Sequence, residues 1–239
     1  MTITVDVVEA TKHVQLHSRE LGYQSAVFIQ GGKTQEVEHI NFNFKKQIVD
    51  FVFENDLTVG EGQLVVEYSG ILNNQMAGFY RSTYNDLSGK EKVRIVSLHQ
   101  PCFDFRVRSC SSFSQVMAST QFESLDARRA FPCWDEVSHH HCQVHSNRFL
   151  TTLCFQQPAA KAVFELTLII DSQLSALSNM PEASIKSLSN NKKEVHFLPS
   201  VKMSTYLLAF VVGEFDFVAV RTCFQLLSAD CCWRTVVGG

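Results

Sequence analysis

The chain has 239 residues and a formal net charge of −3, with 45% hydrophobic and 19% charged residues. This length and composition indicate one large or two small globular domains and exclude a disordered chain. The charge balance lacks the basic excess of nucleic-acid-binding proteins. The apolar runs are too short for a membrane span, and the first residues do not resemble a signal peptide. We therefore predict a soluble cytoplasmic protein that binds neither nucleic acid nor membrane.

Most of the chain has the pattern of β-strands. Residues 2–8 alternate, with Ile3, Val5 and Val7 on one face, and similar segments rich in Val, Ile, Phe and Tyr follow. The predicted strands are 2–8, 13–17, 24–30, 37–44, 48–53, 64–68, 78–83, 117–122, 162–170, 194–198 and 205–212. Strands at a spacing of about 8–12 residues indicate an all-β fold, either a sandwich or a saddle-shaped sheet.

One short helix is predicted, over residues 125–130. Ser124 is placed to cap its start, and Pro132 follows its end. This is the only helical segment that the sequence predicts.

The same segment carries a cluster of charges, Asp126, Arg128 and Arg129, beside the apolar sequence FPCW. We interpret the cluster as an Asp–Arg network that holds a tight turn against the sheet, with a catalytic carboxylate as the alternative. Within FPCW, the aromatic residues are predicted to lie in the core. Cys133 is predicted to be a buried, inert thiol.

The other cysteines mark three unusual stretches of the chain. Seven of the eight cysteines fall in residues 93–115, 137–157 and 220–239. Together these stretches contain no lysine and only two of the 24 acidic residues. A single globular domain is not expected to change composition so sharply three times, so the cysteine count is weak evidence for metal or redox chemistry.

One of these stretches contains a group of histidines, with three in succession at 139–141. A loop there could present His141, Cys142, His145 and Cys154 to one metal ion. The stretch holds no acidic residue to orient such ligands. We therefore predict no metal site on this chain, and a metal-binding β-sandwich is the weaker alternative.

Three segments carry a resemblance to a known family. They are GILNNQMAGFYRSTY at 70–84, TQFESLDARRAFPCWDE at 120–136, and KMSTYLLAFVVGEFDF at 202–217, which follows ALSNMP at 176–181. Their order and spacing resemble the N-terminal β-domain of the aminopeptidase N family of zinc metallopeptidases, and most closely its puromycin-sensitive branch. The resemblance implies an all-β, saddle-shaped sandwich of mostly antiparallel strands.

The resemblance also implies two substrate-binding residues, Gln121 and Glu123. They stand at positions i and i+2 of a predicted strand, so both project from one face. In the family, the Glu helps bind the α-ammonium of the substrate, and the Gln lines the pocket for its first side chain. A carboxylate at the closed end of a cleft pairs well with an ammonium group through charge-assisted hydrogen bonds.

The complete family enzyme uses zinc, held by an HExxH motif that also supplies the general-base Glu. HExxH does not occur in this sequence, and neither does the family's Gly-x-Met-Glu-Asn motif. The resemblance therefore implies zinc in the complete enzyme and none on this chain.

The unusual stretches interrupt the family pattern. In the family, segments like 89–92 and 116–121 are contiguous, and CWDE is followed at once by proline and a strand. Each stretch begins with Val and then Arg or Ser, whose codons can spell the splice donor GT(A/G)AG, and both internal stretches end in Gln, whose CAG codon can serve as an acceptor. We predict translated introns at 93–115 and 137–157, with a third that runs to a chance stop codon.

Residues 1–219 are thus predicted to form an incomplete aminopeptidase N-terminal domain, followed by an unrelated, disordered tail at 220–239. The predicted function is substrate recognition in a zinc aminopeptidase that removes N-terminal residues from peptides, with no activity of this chain alone. Its predicted partners are peptides with a free N-terminus and the missing catalytic domain. The alternatives are a non-catalytic peptide- or partner-binding module and a mis-spliced product without function.

Overall fold

A computed structural model describes residues 1–82, 117–136 and 160–214 with their side chains, and the backbone of 84–85, 91–92, 217–223 and 232–238. In chain order the strands are β1 Thr2–Val7, β2 Thr11–His17, β3 Leu21–Gln30, β4 Lys33–Asn43, β5 Ile48–Leu57, β6 Gly60–Gly70, β7 Gly78–Ser82, β8 Tyr84–Asn85, β9 Glu91–Lys92, β10 Met117–Gln121, β11 Lys161–Ala162, β12 Thr167–Asp171, β13 Ser175–Ser178, β14 Glu182–Leu188, β15 Lys192–Phe197, β16 Met203–Ser204, β17 Phe210–Gly213, β18 Phe217–Cys223 and β19 Cys232–Gly238. Two 3₁₀ helices, Ala127–Arg129 and Thr205–Leu207, complete the described elements. The predicted all-β fold is confirmed.

The strands form antiparallel sheets. A six-stranded sheet has the order β1-β6-β3-β4-β5-β2, and a four-stranded sheet has the order β13-β17-β10-β7. A three-stranded sheet, β12-β15-β14, and the pairs β11-β16, β8-β9 and β18-β19 account for the other described strands. Residues of the six-, four- and three-stranded sheets share one hydrophobic core, so these sheets pack against each other.

The alternation of the sequence explains which face of each strand is buried. On β5, Val49, Phe51 and Phe53 are fully buried, while the residues between them are only partly covered. On β6, Leu64 and Tyr68 are likewise fully buried and lie on one face of the strand. Side chains alternate between the two faces of a strand, so these residues direct one face of the six-stranded sheet into the core.

Two predicted strands differ from the observed elements. The segment 162–170 contains two strands, β11 and β12, separated by residues 163–166. The segment 205–212 begins as a 3₁₀ helix and becomes a strand only at Phe210. Residues 206–212 are all apolar, and 162–170 is apolar except for Glu165 and Thr167, so periodicity does not separate a strand from another buried conformation.

Two strands are described in the last part of the chain. β18 and β19 pair in antiparallel register, from Phe217 opposite Gly238 to Cys223 opposite Cys232. Both strands are rich in Val and Thr, whose branched side chains favour extended backbone. The two internal stretches and the histidine group lie outside the described residues.

A glycine on β6 gives a test of this packing. A Cβ atom at Gly62 would lie 2.5 Å from two ring carbons of Phe28, which is 2% exposed. We expect Gly62→Ala to lower the free energy of unfolding by about 1–3 kcal/mol, because the ring must move within a filled core. Urea unfolding measures the loss, with the exposed neighbour changed in Gln63→Ala as the control. Equal stability of the two variants would contradict the packing of Phe28.

Candidate functional site

Gln121 and Glu123 lie at and just beyond the end of β10, on the four-stranded sheet. Gln121 is the last residue of the strand and is in register with Gly78, the first residue of β7. Both Gln121 and Glu123 are exposed, while Phe122 between them is 2% exposed. Both polar side chains are therefore accessible, one on either side of a buried residue.

Phe122 anchors this segment in the core. Its ring lies edge-on to Phe131, with ring centroids 5.7 Å apart, and edge-on to Phe210, with centroids 6.2 Å apart. Such aromatic pairs fix the orientation of the ring as well as its depth. The backbone on either side of Phe122, which carries the two candidate residues, is therefore held against the sheet.

A tight turn follows, not the predicted helix. The structure has a 3₁₀ helix of three residues, Ala127–Arg129, where the sequence predicted a helix over 125–130. Its N-cap is Asp126, with no side-chain cap bond, so the capping role predicted for Ser124 is wrong. The turn is closed by backbone bonds instead, from Asp126 N to the Phe122 carbonyl oxygen at 3.0 Å and from Arg129 N to the Asp126 carbonyl oxygen at 3.1 Å. The Glu123–Ser124 peptide bond is cis.

The predicted Asp–Arg network is confirmed for Asp126 and Arg129, whereas Arg128 pairs with another carboxylate. Arg129 donates from Nε to Asp126 Oδ1 at 2.8 Å and from its terminal nitrogen to Glu20 Oε2 at 2.7 Å. Asp126 comes from the same turn, whereas Glu20 comes from the loop between β2 and β3. The guanidinium therefore joins the turn to the six-stranded sheet.

Arg128 makes a second network with a different carboxylate. It donates from Nε to Asp135 Oδ2 at 3.2 Å and from a terminal nitrogen to the Asp135 carbonyl oxygen at 2.8 Å. Its other terminal nitrogen donates to Gln47 Oε1 at 3.2 Å. Asp135 is fully buried and also accepts a hydrogen bond from Thr205 Oγ1 at 2.9 Å. These bonds fasten residues 128–135 to two other parts of the chain, at Gln47 and Thr205.

His17, at the end of β2, contacts the same network. The Asp135 backbone N–H donates to His17 Nδ1 at 3.2 Å, which requires that nitrogen to be unprotonated. Burial lowers the pKa of His17 from its ordinary value of 6.5, and the nearby Arg128 guanidinium lowers it further. Asp135, Glu136 and the hydrogen bond to the Cys133 backbone act in the opposite direction. Folding therefore favours the neutral form of the His17 ring.

This lowered pKa of His17 gives a pH dependence with a definite sign. Because the unfolded chain binds the proton more tightly, the free energy of unfolding should fall as pH drops below about 6.5 and continue to fall until the folded-state pKa is passed. His17→Asn keeps an acceptor oxygen but does not titrate. Between about pH 7.5 and 5.5, a range in which histidine titrates, the urea midpoint of wild type should fall further than that of His17→Asn. Parallel profiles of the two proteins would contradict this role.

In the FPCW segment, predicted burial is confirmed at two positions and is wrong at a third. Phe131 and Cys133 are buried, at 3% and 5% exposure. Burial raises the pKa of the Cys133 thiol, which opposes thiolate chemistry. Trp134 is 37% exposed, so its prediction as a core residue is wrong. Its neighbour Asp135 takes the buried position instead, because its carboxylate is paired with Arg128.

Among the described residues, no group of three or more His, Cys, Asp or Glu is placed to hold a metal ion. The described ranges also contain no helix long and apolar enough to cross a membrane. Within those ranges, the residues therefore do not fit a zinc site.

Sequence reasoning missed Glu20 as part of this region. It lies 109 positions from Arg129, and no local pattern marks it as a partner. The two residues meet because the packing of the six-stranded sheet against the four-stranded sheet brings the β2–β3 loop to the turn after β10.

Comparison with known proteins gives a consistent set of relatives. A family model described as the peptidase M1 N-terminal domain matches residues 1–110, 108–139 and 139–207. Aminopeptidase M1-C of Oryza sativa subsp. japonica is 36% identical over 218 residues, which cover 91% of this chain and 19% of the relative. Aminopeptidase 2 of Candida albicans is 36% identical over 219 residues, with 91% and 18% covered. The puromycin-sensitive aminopeptidase of Caenorhabditis elegans is 34% identical over 223 residues, with 92% and 19% covered. The chain spans about a fifth of the length of these curated relatives.

Proposed function

Because this chain belongs to the peptidase M1 family, whose N-terminal domain it matches, we propose that it is the substrate-recognition domain of an aminopeptidase. The complete enzyme removes N-terminal residues from peptides. Its chemistry belongs to a catalytic segment with HExxH, a motif that does not occur in these 239 residues. We assign the zinc of the complete enzyme to that segment, because HExxH supplies two zinc-binding histidines.

One observation carries the proposal: an exposed amide and an exposed carboxylate, Gln121 and Glu123, flank the buried anchor Phe122. The Glu123 carboxylate binds the α-ammonium of the substrate, and Gln121 contacts the first side chain. A fixed carboxylate favours peptides with a free N-terminus, because a blocked or internal residue offers no cation to pair with it. The partners of this chain are therefore such peptides and the catalytic segment. Its cytoplasmic location remains a prediction of the sequence.

The domain boundaries are part of the same proposal. Residues 1–219 form the family domain, with insertions at 93–115 and 137–157 and an unrelated tail at 220–239. The family match is divided into three pieces, which together cover both internal stretches. Its two junctions, near residues 109 and 139, fall within those stretches, which is the support for insertions there.

The proposal is tested by fusion. The full chain replaces the matching N-terminal segment of the C. elegans relative, and hydrolysis of leucyl-4-nitroanilide is compared with that of its N-acetyl form. We expect the fusion to cleave only the free-amine substrate, and faster than the relative without any N-terminal segment. A fusion that lacks residues 93–115, 137–157 and 220–239 should share this requirement for a free amine. No gain over the shortened relative would contradict the proposed function.

A further inference from the structure

Arg129 is a buried cation held by two carboxylates. Its side chain is 7% exposed, and it donates to Asp126 at 2.8 Å and to Glu20 at 2.7 Å. A guanidinium without partners at this depth would be costly, so the two carboxylates determine where it lies. Asp126 belongs to the turn after the candidate site, and Glu20 belongs to the β2–β3 loop of the six-stranded sheet.

The stem of Arg129 also packs against the strand beside Gln121. A Cβ atom at Gly78 would lie 2.7 Å from the Arg129 Cβ and 3.1 Å from its Cδ, so backbone and side chain are in close contact there. Gly78 has a φ of +72°, which only glycine adopts readily. It is the register partner of Gln121, so Arg129 supports the residue opposite the candidate amide.

The backbone of Arg129 closes the segment that carries Glu123. Arg129 N donates to the Asp126 carbonyl oxygen, and Asp126 N donates to the carbonyl oxygen of Phe122, the residue before Glu123. One buried residue therefore contacts both the strand beside Gln121 and the turn after Glu123.

We propose that Arg129 is a positioning residue for the amine-binding site: by joining Glu20, Asp126 and the backbone of Gly78, it sets the separation and orientation of Gln121 and Glu123. This inference rests on the proposed function. Arg129 is buried, and two of its N–H groups donate to Glu20 and Asp126, so the role proposed for it is indirect and requires no contact with the substrate. Its effect is to place the Glu123 carboxylate where an ammonium group can reach it.

The kinetic signature of positioning differs from that of stability. A displaced carboxylate weakens binding of the amine in the ground state and the transition state alike, which raises KM and leaves kcat nearly unchanged. Partial unfolding reduces the number of active molecules, which lowers the apparent kcat and leaves KM unchanged. The ratio of the two parameters therefore separates the roles.

The test uses the fusion of the full chain with leucyl-4-nitroanilide as the probe. Arg129→Lys keeps the charge but not the planar set of donors. We expect KM to rise about fivefold, less than for the loss of the Glu123 charge itself, because the Glu123 carboxylate is displaced and not removed. Glu20→Gln keeps an acceptor oxygen but removes the negative charge that pairs with Arg129, at a half-exposed position with little risk to folding. We expect KM to rise about twofold. Arg128→Lys is the matched control, because Arg128 is equally buried and donates to Asp135 and Gln47 instead. It should leave KM unchanged, even where it lowers stability.

The outcomes separate this inference from the function on which it rests. A rise in KM for Arg129→Lys and Glu20→Gln, with none for Arg128→Lys, supports positioning. If Glu123→Gln raises KM but the Arg129 and Glu20 variants change only the apparent kcat or nothing, positioning is overturned and the proposed function stands. If Glu123→Gln also leaves KM unchanged, or the wild-type fusion is inactive, both are overturned.

Discussion

Replacing Asp135 with alanine is expected to lower the free energy of unfolding by about 3–5 kcal/mol, because it leaves a buried guanidinium without its counter-charge. Asp135 is fully buried, and its carboxylate accepts from Arg128 Nε at 3.2 Å and from Thr205 Oγ1 at 2.9 Å. Arg128 is 7% exposed, so solvent cannot replace the lost partner. Urea unfolding of the full chain, followed by circular dichroism, measures the change.

The exposed carboxylate of Asp6, on β1, provides the matched control for this prediction. Asp6→Ala removes the same charge and should change the free energy of unfolding by no more than about 0.5 kcal/mol. The double variant Asp135→Leu with Arg128→Met removes both charges and should lose less stability than Asp135→Ala alone. If Asp135→Ala lowers the free energy of unfolding no more than Asp6→Ala does, residues 128–135 are not held in the way that the structure shows.

The second large effect is expected at Glu123. In the fusion with the C. elegans relative, Glu123→Gln should lower kcat/KM for leucyl-4-nitroanilide about 10- to 100-fold, mainly through KM, since a hydrogen bond to a charged group contributes about 1.5–3 kcal/mol. The change is nearly isosteric and lies at an exposed position, so it should leave stability unaltered. Initial rates over a range of substrate concentrations give both parameters.

Gln121→Ala is the control that separates amine binding from side-chain recognition. It should change the ratio of kcat/KM between leucyl and alanyl anilides, and it should leave the requirement for a free amine intact. Equal kinetics of wild type and Glu123→Gln would show that another group binds the ammonium. That result would contradict the role proposed for this carboxylate.

The strands of the larger sheet could be predicted because their burial alternates in the sequence. β5 has Val49, Phe51 and Phe53 at every second position, and all three are fully buried. β14 could not be predicted in the same way, because six of its seven residues are exposed. It is a strand because it pairs with β15, and such pairing leaves no local periodicity.

The candidate site was only partly readable from the sequence. Gln121 and Glu123 follow from the family motif, and the polarity of Asp126 and Arg129 indicated a turn. The roles of Glu20 and Asp135 depend on side chains brought together by the sheets, at separations of 109 residues for Glu20 and Arg129 and 70 for Asp135 and Thr205. The hydrophobicity of Trp134 predicts a core position, but Trp134 is exposed. The buried position beside it is taken by Asp135, whose carboxylate pairs with Arg128.

Sequencing the mature transcript across this region tests most directly whether the chain is the recognition domain of a complete aminopeptidase. We expect the message to lack the codons for residues 93–115 and 137–157, and to continue in frame past codon 219 into a segment that encodes HExxH. Residues Gln121 and Glu123 then belong to the same polypeptide as the catalytic motif. A mature message that keeps all three stretches and ends after codon 239 would contradict this account, and the chain would have to act without a catalytic segment of its own.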